Sequence, residues 1–199
     1  MECKHCANEN KKNAFFCTSC EKIQKVNDDV SIFELLNIKP SIHVNKEELN
    51  KKYAELIQKM HPDKFTYAIE EDKNIAEANT AILNNAYKTL SCNESICEYL
   101  IHEMNKESSS EFIDNEYMME VMMLNEELNN IRSLRDYEIF ANKISNMHNM
   151  ILSQMKNNII RQNSIEAGKF SQRLKFINKI LLDVNMKSSM LKQKELSKE

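Results

Sequence analysis

The chain has 199 residues, 42% of them hydrophobic, with one glycine, two prolines and 12 methionines. That scarcity of turn formers describes an almost wholly helical chain, and the apolar content is enough for packed cores, which argues against disorder over most of its length. A net charge of −3, from 27 basic and 30 acidic residues with no long basic stripe, makes nucleic acid a poor first guess as partner.

No apolar run approaches the ~18 to 20 residues that span a bilayer. The start, "MECKHCANENKKNAFF", has neither an apolar signal core nor the Arg-rich, acid-poor look of a transit peptide. Taken literally, the chain is expected to be intracellular with no visible address.

Residues 1–26 hold Cys3, Cys6, Cys17 and Cys20 in the pattern C-x2-C-x10-C-x2-C. Two close pairs bring four thiolates to one point, and Zn²⁺ takes four such ligands tetrahedrally without redox chemistry. The expected cofactor is therefore structural zinc. Free thiols, disulfides and iron in a rubredoxin-like site are the alternatives. His5, inside the first pair, can stand in for a sulfur or be a bystander. A closed four-sulfur site leaves no open position for substrate. Cys92 and Cys97 are too isolated to form a site and read as packing and surface thiols.

The second segment covers residues 30–104. "SIFELLNI" ends at Pro40, a helix stop. In "NKEELNKKYAELIQKM", Asn45 caps and Glu48 completes something close to a capping box. Leu49, Tyr53, Leu56, Ile57 and Met60 then recur along one helical face. His61-Pro62-Asp63 ends that helix, because proline disfavours the helical region for the residue before it. A third helical pattern runs from about Glu70 to Leu90, with Ile75, Ile82, Leu83, Ala86, Tyr87 and Leu90 as its apolar side. The tail "SICEYLIHEM" is helical too.

"NKESSSEF" is the best linker: polar, serine-rich and without period. Beyond it, three helical patterns at roughly 112–132, 134–160 and 164–190 make an antiparallel bundle. Tyr137, Phe140, Ile144, Met147, Ile151 and Met155 mark the middle core face; Phe170, Leu174, Ile177, Leu181 and Val184 mark the last. In the first, Tyr117, Val121, Leu124, Leu128 and Ile131 fall within a sector of roughly 80°. Met118, Met119, Met122 and Met123 lie on the other side, around Glu126, and Phe176 sits about 120° off the stripe of its own helix. Methionine-rich surfaces are soft and suit the grasping of a partner, although a wider buried arc would draw Met118 and Met123 into the core.

"SIFELLNI", "MHPDKF" and "LNNAYKTL" together resemble the J domain, whose HPD loop joins its second and third helices. The double CxxC ahead of it, with "MMEVMMLNEELNNI" and "RLKFINKIL" behind, is most similar to the HscB-type co-chaperones of iron–sulfur cluster assembly, in their zinc-containing eukaryotic form. The resemblance implies an all-α protein made of a zinc-binding knuckle (1–26), a J domain (30–104) and a C-terminal three-helix scaffold-binding bundle (112–192). It further implies that the chain is no enzyme itself. It would stimulate the ATPase of a DnaK-type 70-kDa heat-shock chaperone and bring to it an IscU-like iron–sulfur scaffold protein.

On that reading His61, Pro62 and Asp63 dock on the chaperone. A carboxylate on a rigid turn can pair bidentately with a partner arginine. Lys52 and Lys59, seven apart on one face, would meet acidic surface, or form an ordinary solvated face. Residues 45–64 carry five lysines against four acids, so steering is modest. Met118, Met119, Met122, Glu126 and Phe176 match the family's scaffold-binding positions. Met123 and Asn130 stand where the bacterial pattern has acids, which predicts more apolar, less salt-sensitive binding. The family works in mitochondria and related organelles, an address this N-terminus does not display; the cytoplasm is the alternative. The competing functions are a J-domain zinc protein serving another client and a zinc-ribbon nucleic-acid module. Enzymatic chemistry is least expected, because no nucleophile–base pair or open metal site is visible and the lone histidines at 43, 102 and 148 suit surface or packing roles.

Overall fold

The computed structural model describes residues 1–27, 29–105 and 115–196. Most of the "NKESSSEF" linker and the first three residues of the 112–132 helix lie outside the described residues. Among those described there are seven α-helices, one 3-10 turn and two isolated β-bridges, Glu2 to Glu9 and Phe16 to Ile23, with no strand. The all-α expectation holds. The chain divides into two compact units, Met1–Ile96 and Cys97–Glu199.

In the first unit, α1 (Ile32–Leu35) is capped by Ser31, whose hydroxyl accepts from the Phe33 amide. It closes with Asn37 in the left-handed region (φ 49°) while the Ile38 amide donates back to the Phe33 carbonyl, a pairing that satisfies the last carbonyls of a short helix. α2 (Lys46–Lys59) begins at Asn45, whose side-chain oxygen accepts from the Glu47 and Glu48 amides. Glu48 does not lean on the cap; its carboxylate meets Lys52 one turn on, at 2.9 Å.

After the 3-10 turn (Pro62–Phe65), α3 (Glu70–Ser91) returns along α2. Leu49 from α2 and Met60 at its C-cap are buried, as are Ala76, Leu83, Ala86 and Leu90 from α3. Toward the edge, Tyr53 stacks on Tyr87 with ring centroids 4.0 Å apart. The two hydroxyls then donate across the hairpin, Tyr53 to Asn84 and Tyr87 to Asn50. Stacking fixes the register of the helices and the hydroxyl bonds finish it at the wet rim. α4 (Asn93–Met104) follows directly.

The boundary between the units falls inside α4, so the second unit takes in that helix from Cys97 onward together with α5 (Asn115–Asn130), α6 (Leu134–Ile160) and α7 (Ser164–Leu196). Ser133 caps α6 by accepting from the Asp136 amide, and a three-residue turn at 161–163 reverses the chain into α7. α6 and α7 form the most extensive helix pair of the molecule. The core draws on Tyr117, Val121, Leu124 and Leu128 from α5, on Tyr137, Phe140, Ile144, Ile151, Met155 and Ile159 from α6, and on Ala167, Leu174, Ile177, Ile180 and Val184 from α7. α5 is tied to α7 at both ends: the Arg173 guanidinium lies 4.9 Å from the Tyr117 ring centre, and Lys187 donates to Asn129 at 2.6 Å. The two therefore run parallel, with α6 antiparallel between their connections. Ile131, placed on the α5 stripe by its period, sits just past the helix end and is half-buried; α7 continues six residues beyond the expected 190.

Candidate functional site: an exposed corner and a four-cysteine centre

The helical hairpin of the first unit ends in the corner that its sequence marks. His61 has extended backbone (φ −57°, ψ 135°), as the following proline requires, and acts as N-cap of the 3-10 turn. Its Nδ1 accepts from the Asp63 amide at 3.3 Å and lies at the same distance from Asp63 Oδ2. The Asp63 amide thus ties the imidazole to the tip beside the carboxylate. Asp63 is 88% exposed at its side chain and His61 is exposed too, so this carboxylate can accept from an incoming donor. Behind the tip a groove of about 550 Å³ opens between α2 and α3, lined in part by Ile57, Met60, Phe65 and Ala76.

The two lysines differ. Lys59 is exposed beside the corner. Lys52 is half-buried, paired with Glu48 and donating to the Asn37 carbonyl, which makes it a strut between α2 and the turn after α1. Periodicity places both on one face but cannot register a backbone carbonyl arriving from another element.

The four cysteines converge. Cys3 and Cys20 sulfurs are 3.7 Å apart, Cys6 and Cys17 sulfurs 3.6 Å, and all four lie within 4.8 Å of one another. A disulfide needs about 2.05 Å. A tetrahedron of Zn–S bonds of about 2.3 Å has edges of about 3.8 Å, so the spacing fits a four-coordinate ion. Each pair forms the same turn. The Ala7 amide donates to the Cys3 carbonyl and the Glu21 amide to the Cys17 carbonyl, with both Ala7 (φ 58°) and Glu21 (φ 57°) in the left-handed region.

N–H groups point at the sulfurs: His5 and Gln24 at Cys3, Ser19 and Asn10 at Cys17. The Cys20 amide above all, helped by the Ser19 amide and Asn10, pulls the Cys17 thiol down to about 6. Burial works against Cys3, yet the amides of His5 and Cys6 bring it below its ordinary value. For Cys20 the Lys22 amide favours the thiolate, but burial and the three neighbouring thiols push it up to about 12. Four thiolates this close repel one another, and a dication in their midst removes the conflict. His5 is not part of the set; its Nε2 lies 3.5 Å from Asp72 on α3.

On α5 the side away from the core is rich in methionine. Met119, Met122 and Met123 are each about 70% exposed and Met118 is 40% exposed, with Glu126 exposed among them. Met118 and Met123 are therefore not drawn into the core. Phe176 on α7 is half-buried.

A hairpin with a His-Pro-Asp tip that exposes His61 and Asp63, joined in sequence to a three-helix bundle, defines the class of J-domain co-chaperones. The family models agree: residues 31–100 match the DnaJ domain and residues 113–185 match the HSCB C-terminal oligomerisation domain. The chain is 30% identical over 161 residues to the co-chaperone protein HscB homolog of Vibrio atlanticus, covering 77% of this chain and 94% of that one. It is 27% identical to the iron-sulfur cluster co-chaperone protein HscB of Mus musculus over 134 residues, 66% of this chain and 57% of that one. The crystal structure of human co-chaperone protein HscB shares its fold, with a TM-score of 0.83 at 21% identity over 94% of this chain and 98% of that one. The chain belongs to the HscB co-chaperone family.

Proposed function

We propose that the protein stimulates ATP hydrolysis by a DnaK-type 70-kDa heat-shock chaperone and delivers to it an IscU-like iron–sulfur scaffold protein during cluster assembly. The His61-Pro62-Asp63 tip, with His61 and Asp63 exposed, carries this reading. Asp63 accepts a forked pair of hydrogen bonds from an arginine of the chaperone, and His61 and the kinked Pro62 backbone hold it at a fixed angle. Lys59 adds attraction to acidic surface, and Lys52 braces the face from which it projects. The protein's contribution is docking geometry; the hydrolysis belongs to the partner.

The scaffold rests on Met118, Met119, Met122 and Glu126 of α5 with Phe176 of α7. Three methionines at about 70% exposure on one helix offer flexible apolar surface that a partner can cover, and Glu126 supplies direction. Met123 extends that surface. Binding is accordingly expected to change little with salt. Cys3, Cys6, Cys17 and Cys20 hold structural Zn²⁺, which replaces the missing core of a segment too short to fold alone.

The test is chaperone ATP turnover with the full chain, comparing the native sequence with His61→Gln and Asp63→Asn. Losing a charge-assisted pair costs about 1.5–3 kcal/mol, so stimulation should fall tenfold or more in Asp63→Asn. Full stimulation by both folded variants would refute the docking role.

A further inference from the structure

We infer that the metal centre clamps α3 through Gln24 and Asn79, so that metal occupancy and the stability of this helix are thermodynamically linked. Two sets of contacts join the knuckle to α3. In the first, Gln24 Nε2 donates to the Cys3 sulfur at 3.3 Å. The Gln24 carbonyl accepts from Asn79 Nδ2 at 2.8 Å, and Asn79 Oδ1 accepts from the Val26 amide at 3.3 Å. Asn79 is 0% exposed, in the middle of α3, and both ends of its amide are spent on the segment that leaves the second cysteine pair. In the second, residues inside the first pair reach the opening turn of α3: Lys4 meets Glu71 at 2.6 Å and His5 lies 3.5 Å from the nearly buried Asp72. That opening turn has no cap of its own, because Ile69 at the N-cap makes no side-chain hydrogen bond.

A ligand sulfur, a glutamine and a buried asparagine are thus consecutive links from metal to helix. Without the ion, Cys3 is held where Gln24 needs it only by the backbone bonds of its turn, from its own amide to Asn8 and from the Ala7 amide to its carbonyl. When the 24–26 segment drifts, Asn79 is left with unpaired buried donor and acceptor, which is expensive. Linkage makes the effect reciprocal: the factor by which bound metal strengthens the Asn79 contacts is the factor by which those contacts strengthen metal binding. This linkage rests on the metal proposed above for the four cysteines and not on the ATPase reading, since neither side of it involves the chaperone.

Two measurements on the full chain decide it. Zn²⁺ affinity, read by competition with a chromophoric chelator, should fall about tenfold in Asn79→Ala and stay unchanged in Asn84→Ala, a residue of the same helix that faces Tyr53 at the surface. Equal affinities for Asn79→Ala and the native chain would overturn the inference. Should Asn79→Ala fail to fold, hydrogen exchange of the native chain with zinc bound and after chelation needs no substitution. Chelation should speed exchange at residues 72–83 about tenfold and leave residues 144–155 of α6 as they were. No change at 72–83, or the same rise in both helices, would contradict it.

Discussion

Gln162 does what a glycine usually does. It sits just past α6 with φ 56°, and the Asn163 amide reaches back to the Asn158 carbonyl, so the helix ends in a left-handed residue that carries a Cβ. Ala7, Glu21 and Asn37 bear the same burden, while the chain's one glycine, Gly168, is buried inside α7. The left-handed region costs a residue with a Cβ about 1–2 kcal/mol, partly offset by glycine's greater unfolded freedom. Gln162→Gly should therefore stabilise the chain by about 1 kcal/mol and raise its melting temperature by roughly 2–4 °C in a calorimetric scan. An unchanged or lower melting temperature would show that the turn carries no strain. Nothing in the composition locates these positions, since glycine's scarcity hides where the backbone turns left-handed. Asp63 is the opposite case: a proline before it and a helix on either side make its exposed position legible from three letters.

α5 shows what periodicity can deliver, whereas on α7 Phe170 and Leu181 of the expected stripe are only half-buried. Tyr117, Val121, Leu124 and Leu128 are buried as their spacing dictates, and the methionines opposite them are exposed. If that face grips a scaffold protein, Met119→Ala with Phe176→Ala should weaken binding roughly thirtyfold in a titration, about 2 kcal/mol for two apolar anchors lost from an interface. Equal affinity would remove these two helices from the binding surface. α3 shows where periodicity fails. Its apolar side was readable, yet Asp72 and Asn79 are buried as well, turned toward a cysteine knuckle more than fifty residues upstream. A polar residue on a helical wheel reads as solvent-facing; only the tertiary partner reveals that it is spent on another backbone. The knuckle's contacts with α3 were illegible for the same reason, although the convergence of its four cysteines was plain from spacing alone.

The two proposed activities lie on different elements, the tip on the α2–α3 hairpin and the methionine face on α5, so they should separate. Asp63→Asn should lose ATPase stimulation and keep scaffold affinity; the α5 and α7 double variant should do the reverse. An adaptor does more than either activity alone, because a scaffold held by the same chain reaches the chaperone at raised effective concentration. The most direct test is single-turnover ATP hydrolysis by the chaperone, with the full chain and scaffold added separately and together. The two together should accelerate hydrolysis beyond the sum of their separate effects, Met119→Ala with Phe176→Ala should remove only this excess, and Asp63→Asn should lower the chain's stimulation tenfold or more. Hydrolysis that responds to the chain equally well with Asp63 replaced would contradict it.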